Sequence, residues 1–289
     1  MPDHTLNRRA WLGAVPGAAA LTLSLAGRSS AQEYTLGGAD FKLGVASYSF
    51  RKFSRAQAIA MTKQLGTPYL NIKDSHLKMD STPEEIEAAK QEFKNAGIIL
   101  TGVGAVYFKT PDEADIRSKF EYAKKLGVPL IVAGPTTETL PKLEKFVKEY
   151  DIKIAVHNHG PEDKYFPTPQ SVLKMVKDMD PRIGCCVDVG HTERTGVNLI
   201  ETIAEVGPRL LDMHVKDLAN LSQKESQVAV GEGKIPFGEL FLQLIKMKYN
   251  GCVNLEYEIH GDDPMPGMQQ SFSYMRGVLT GIKASQFSA

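Results

Sequence analysis

The chain has 289 residues, 42% hydrophobic and 24% charged, with 34 basic and 34 acidic side chains. That composition excludes disordered and fibrous classes. A net charge of zero lacks the broad basic face that phosphate backbones need, so nucleic acid is not an expected partner.

In chain order, residues 1–31 read as an export signal. Arg8-Arg9 precede a run from Ala10 to Gly27 that is apolar apart from Thr22 and Ser24, and Ser29-Ser30-Ala31 offers small residues for cleavage. The paired arginines point to the twin-arginine route and a periplasmic location. The alternative is a membrane anchor, but the run is at most 18 residues and contains Pro16. Removing Arg8, Arg9, Arg28 and Asp3 with the signal leaves a net charge of −2. No later stretch of the sequence is apolar enough to span a bilayer. Residues 32–40 are expected to be a linker and 41–289 a single domain.

From Phe41 onward strand-like and helix-like segments alternate. Strands are predicted at Lys42–Phe50, Tyr69–Lys73, Leu100–Tyr107, Leu130–Ala133, Lys153–His157, Gly184–Val189, Leu211–Lys216 and Cys252–Glu258. Thr82-Pro83-Glu84-Glu85 marks a helix start, with an N-cap, a first-turn proline and early acids. Leu126-Gly127-Val128-Pro129 and Val206-Gly207-Pro208 mark helix stops. Eight β units with helices between them in about 250 residues predict a (β/α)8 TIM barrel. The alternative, a doubly wound sheet, often carries a GxGxxG turn that is absent here. Cys185, Cys186 and Cys252 sit in apolar strands and are expected to be buried and unpaired.

The last four strands alternate apolar and polar faces. In the fifth, Ile154 and Val156 oppose Ala155, His157 and His159. In the sixth, Cys185 and Val187 oppose Cys186 and Asp188. In the seventh, Met213 and Val215 oppose Asp212, His214 and Lys216. In the eighth, Val253, Leu255 and Tyr257 oppose Asn254, Glu256 and Glu258. In a helix-wrapped barrel the polar face points to the axis, where an unpaired polar group costs roughly 2–7 kcal/mol. His157, Asp188, His214 and Glu256 therefore form a candidate metal set at the C-terminal strand ends, where barrel active sites lie. Two imidazoles and two carboxylates suit Mn²⁺ first, with Zn²⁺, Co²⁺ and Fe²⁺ open. A buried salt-bridged network without metal is the competing reading.

The motifs "VHNHG", "CVDVGHTERTG", "DMHVKD", "VGEGKIPF" and "VNLEYE" follow one another at the ends of strands five to eight. In that order they resemble the xylose isomerase-like barrel superfamily, in its sugar phosphate isomerase/epimerase-like branch, over about residues 41–285. The resemblance implies metal binding by Asp188, His214 and Glu256, with Glu258 as a nearby acid or base. Many members carry a glutamate where this chain has His157. Imidazole still binds metal, but the family's proton shuttle between two glutamates is then in doubt. The expected acid–base residues are Glu258, Lys216 and His191. His159, Lys73, His76 and Tyr48 are expected to touch substrate. Each has a plainer alternative: a loop hydrogen bond for His191, a pairing with Asp212 or Glu258 for Lys216, a solvated rim charge for Lys73. Ser49, Tyr107, Glu162 and Lys164 either line the pocket or belong to the rim.

These features predict a divalent-metal-dependent enzyme acting on a sugar or keto-sugar by removing a proton beside a carbonyl. The product is an isomer, an epimer or a 1,2-elimination product of a keto-glycoside, with His157 tilting toward lyase chemistry. Export and the lack of a phosphate-cradling loop argue against a phosphorylated substrate. A non-catalytic sugar-binding barrel is the second reading. An apurinic-endonuclease-like metal hydrolase is the third, disfavoured by charge and by only seven histidines. A homo-oligomer stays open.

Overall fold

The computed structural model describes residues 34–36 and 38–286. The export signal expected in residues 1–31 lies outside them. Eight parallel strands form the frame: β1 (Ala39–Ala46), β2 (Tyr69–Ile72), β3 (Ile99–Phe108), β4 (Leu130–Pro135), β5 (Lys153–His157), β6 (Ile183–Asp188), β7 (Leu210–Val215) and β8 (Cys252–Leu255). Each strand pairs with its neighbours in sequence, and β1 pairs with both β2 and β8, so the sheet closes into a barrel. The helices between and after them are α1 (Arg55–Gln64), α2 (Pro83–Ala96), α3 (Glu113–Leu126), α4 (Leu140–Tyr150), α5 (Pro169–Val176), α6 (Leu199–Val206), α7 (Phe237–Lys246) and α8 (Met265–Gln286).

Local chemistry sets these boundaries. The α2 start is a capping box: Thr82 accepts from the Glu85 N–H, and the Glu85 carboxylate accepts from the Thr82 N–H. This satisfies two backbone donors that the first helical turn leaves open. Helix α3 ends at Leu126 before a left-handed Gly127, and α6 ends at Val206, at the two predicted stops.

The alternation in the strands separates two cores. Ile154, Val156, Cys185, Val187, Met213 and Leu255 belong to the large core between strands and helices. Leu130, Val132, Ala155 and Cys186 form a small plug inside the barrel. Level with that plug the axis also holds polar groups, with Asp212 in register with Cys186. Asn254 donates to both oxygens of Asp212, at 2.9 and 3.1 Å, and both side chains are buried. All three cysteines are buried and free.

Several strand ends differ from the predicted ones by a residue or two, and three differences are larger. The first strand ends at Ala46, and Ser47–Phe50 form a single 3-10 turn. There the Ser47 hydroxyl accepts from the Lys73 N–H and the Ser49 hydroxyl from the Tyr257 N–H, replacing strand pairing. Strand β8 stops at Leu255, because Glu258 bonds the Gln227 side chain instead of a neighbouring strand. The expected linker 32–40 contains a strand, Tyr34–Leu36, paired antiparallel with Ala39–Phe41.

Candidate metal centre and substrate cleft

Strand register brings the site together. Asp188 on β6 pairs with His214 on β7, which pairs with Asn254 on β8. His157 ends β5 beside Cys186. His157, Asp188, His214 and Glu256 are all buried, and each offers a ligand atom within 4.8 Å of the others. His157 Nε2 lies 3.1 Å from His214 Nδ1 and 3.6 Å from Asp188 Oδ2, and His214 Nδ1 lies 3.3 Å from Glu256 Oε2.

Neighbouring groups hold Asp188 and Glu256, two of the candidate ligands, in place. Asp188 caps the short helix Val189–Glu193 by accepting the His191 N–H on Oδ1 at 2.8 Å. Its other oxygen, Oδ2, has no hydrogen bond and faces the site. Asn158 accepts the Asp188 N–H and donates to Thr192, whose hydroxyl donates back to the Asp188 carbonyl. Glu256 is held through its backbone: its N–H donates to the Val215 carbonyl, and Gln227 donates to the Glu256 carbonyl. On the far side of His214, Nε2 stands 4.0 Å from Asp212 Oδ2, the direction in which ligating histidines commonly meet a carboxylate.

A buried cation sits among these groups. The Lys216 Nζ is 3.1 Å from Asp188 Oδ2, 2.9 Å from Glu256 Oε2 and 2.5 Å from Glu258 Oε2. It pairs with Glu258, one of the two partners considered, and not with Asp212. A side chain at position 190 would block it, since a Cβ there would lie 2.6 Å from Lys216 Cγ. Gly190 in "VGHT" thus makes room for the lysine stem.

The electrostatics follow from burial and this charge. Burial opposes ionisation of Asp188 and Glu256, but the Lys216 ammonium holds both well below the usual carboxylate range. The three carboxylates in turn outweigh burial and push Lys216 well above its ordinary value. Burial lowers His157 to about 3 and His191 to about 4, so both rings are neutral at neutral pH. Burial also disfavours a charged His214, but Glu256 beside it prevails and raises its pKa. Burial raises Asp212 to about 7.

The donor set fits a divalent ion of borderline hardness. Asp188 Oδ2 is free of hydrogen bonds, and the His157 and His214 nitrogens facing each other need a proton or a cation between them. An all-oxygen cage for Mg²⁺ or Ca²⁺ is not what these residues build.

The strand ends open into two connected chambers. The inner one, about 280 Å³, is lined by Tyr48, Lys73, His157, His159, His191, Glu256 and Glu258 among others. The outer one, about 580 Å³, shares Tyr107, His159, His191 and Glu258 with it. Lys73 donates to the Ala105 carbonyl at 2.6 Å, and His159 bonds Asp163 at 3.1 Å and stacks on Tyr107. The Arg51 guanidinium covers the Tyr48 ring at 4.7 Å. Glu162 and Lys164 line the outer chamber.

His76 does not join them. Its Nδ1 bonds the Ser47 hydroxyl and its Nε2 the Phe50 carbonyl, and it lines a separate cavity beside Arg55 and Leu77. Both its ring nitrogens are used inside the loop, and it lines neither chamber. The sequence reading also missed two supporting residues. Arg194 donates to His191 Nδ1 at 3.1 Å and pairs with Glu162. Since a guanidinium only donates, His191 Nδ1 accepts and its proton sits on Nε2. Asp217 accepts four backbone N–H groups, from Leu218, Gly231, Gly233 and Ile235, and so pins the "VGEGKIPF" loop.

Comparison with known proteins agrees with this architecture. A family model described as Xylose isomerase-like TIM barrel matches residues 59–278. An uncharacterized protein of Methanocaldococcus jannaschii, MJ1311, is 29% identical over 122 residues, which cover 41% of this chain and 41% of that protein. Among solved structures, the IOLI protein with a bound zinc atom superposes with a TM-score of 0.70 at 19% identity, covering 83% of this chain and 99% of that one. A D-psicose 3-epimerase solved in the presence of D-fructose gives 0.67 at 18% identity, with coverage of 83% and 99%. At these identities the structural likeness speaks for the fold alone.

Proposed function

The chain belongs to the xylose isomerase-like TIM barrel family, and we propose that it is a divalent-metal-dependent enzyme removing a proton beside the carbonyl of a sugar or keto-sugar. The observation that carries this reading is the convergence of His157, Asp188, His214 and Glu256 within 4.8 Å at the floor of a cleft. A zinc atom in the IOLI structure and the sugar named with the epimerase structure lend it support. These four residues would hold the divalent ion, which when bound would supply Lewis-acid chemistry to a carbonyl and so make the neighbouring C–H more acidic.

The protein's own groups do the rest. Glu258 faces both chambers and takes the proton as general base. Lys216, 2.5 Å away, fixes the orientation of that carboxylate. His191 presents its Nε2–H as a donor to a substrate oxygen. Tyr48, Lys73 and His159 line the inner chamber and bind hydroxyl groups.

Elimination from a keto-glycoside is placed ahead of epimerisation. An epimerase returns the proton to the opposite face and needs a second base there. Among the described residues lining the inner chamber, Glu258 is the carboxylate outside the metal set, and His157 stands where relatives often carry a glutamate. With the export signal expected in residues 1–31, we place the reaction in the periplasm, on unphosphorylated sugars. The test is a metal-supplemented screen of free sugars, keto-sugars and 3-keto-glycosides in D₂O, read by NMR. Deuterium appearing at the carbon beside a carbonyl, or loss of the glycosidic unit, is the expected result. A panel that shows neither contradicts the reading.

A further inference from the structure

The outer chamber has no task in the chemistry described so far, and its volume of about 580 Å³ is more than twice the 280 Å³ of the inner one. The two share Tyr107, His159, His191 and Glu258, so a group seated over the metal ligands leads directly into it. We propose that the outer chamber is a subsite for the second unit of a glycosidically linked substrate, so that the enzyme selects two-unit glycosides over free monosaccharides. This rests on the metal-dependent reading above and narrows its substrate class.

Three observations build the subsite. The first is Tyr107, a large aromatic that is 46% exposed at the end of β3. Its ring stacks on His159 at 6.0 Å and lies against Gly134, where a Cβ would come within 2.6 Å of the ring. An aromatic ring fixed in place and still partly exposed can take a sugar face once the flexible Lys109 side chain above it moves aside. The second is Tyr165, which gives the same chamber another aromatic ring. Its loop is fixed, because Asp163 accepts the N–H groups of both Tyr165 and Phe166.

The third is the balance of polar groups. Every acid lining the chamber is already engaged: Glu162 with Arg194, Asp163 with His159, and Glu258 with Lys216. Lys109, Lys164 and Lys224 line it too, and among the described residues none of them forms an ion pair. Lys109 and Lys164 instead lie over the Tyr107 and Tyr165 rings. The lining thus offers aromatic faces and free donors. The ring faces and hydroxyl and ether oxygens of a sugar unit match both.

The experiment pairs each keto-hexose with a disaccharide that contains it, for example 3-keto-glucose with 3-keto-trehalose, using the metal-loaded full chain in D₂O. The expected kcat/KM for the disaccharide is at least ~10-fold higher, and Tyr165→Ala narrows that ratio below ~3-fold while Tyr165→Phe keeps it. Turnover with equal ratios, or a ratio untouched by Tyr165→Ala, overturns the subsite and leaves the metal-dependent reading standing. Absence of exchange and cleavage on every member of every pair overturns that reading, and the subsite falls with it.

Discussion

The Lys216 ammonium lies 3.1 Å from Asp188 Oδ2, a buried oxygen that no hydrogen bond reaches. The same ammonium is 2.9 Å from Glu256, so the protein carries an internal cation between two of the four proposed metal ligands. Removing one partner of a buried ion pair costs about 3–5 kcal/mol, because the other charge is left uncompensated. Lys216→Met is therefore expected to lower the Tm of the metal-free protein. It is also expected to tighten Mn²⁺ or Zn²⁺ binding, since the ion no longer competes with an ammonium. Thermal melts and calorimetric titration check both effects, and unchanged metal affinity would show that Lys216 does not compete.

Glu258→Gln separates binding from chemistry. The residue stands outside the set of four ligands but beside Lys216. Metal content is expected to stay at the wild-type level while turnover falls about 10²–10⁴-fold, the usual contribution of a general base. Turnover close to wild type would remove Glu258 from that role.

Metal affinity is expected to depend on pH through one proton near neutrality. His157 is lowered to about 3 and is already neutral, so it has no proton to release. His214 is raised above its ordinary value and must lose its proton before it can bind. Affinity should therefore be full above the His214 pKa and fall as pH drops through it, with a slope of about one proton per ion. Titrations from pH 6 to 8 (roughly, the window around an ordinary histidine) measure this. A slope of two would mean that a second group releases a proton as well, Asp212 at about 7 beside His214 before His157 at about 3.

Asp217→Ala tests the anchoring of the "VGEGKIPF" loop. Its carboxylate accepts four N–H groups at 2.8 to 3.1 Å. An unsatisfied buried donor costs about 1–3 kcal/mol, so a loss on the order of 2–4 kcal/mol is expected after the loop relaxes. Faster amide exchange at Gly231, Gly233 and Ile235 should accompany it. Protection equal to wild type would mean that the loop is held by other contacts.

How much of this was legible in the sequence depends on how local each signal is. The barrel was legible because period-two alternation recurs in strand after strand; Ile154 and Val156 against His157 is one instance. The gathering of His157, Asp188, His214 and Glu256 follows from the same alternation plus strand order. Asn158 was not read as a site residue, although alternation puts it opposite His157 on a face where a buried polar side chain needs partners; it finds Asp188 and Thr192. Arg194 to Glu162, Asp217 to Gly231, and Gln227 to Glu258 span 14 to 32 residues between loops, and no local pattern encodes them. The bonding of His76 is hidden from the sequence for the same reason. Its Ser47 partner is 29 residues away, and only the folded loop shows both ring nitrogens occupied.

The most direct test of the account is the metal content of the purified, remetallated protein beside Asp188→Ala and His214→Ala. One divalent ion per chain in the wild type, lost in both variants while each retains a folded circular-dichroism spectrum, is the predicted result. No bound ion in the wild type, or full occupancy in both folded variants, would contradict it.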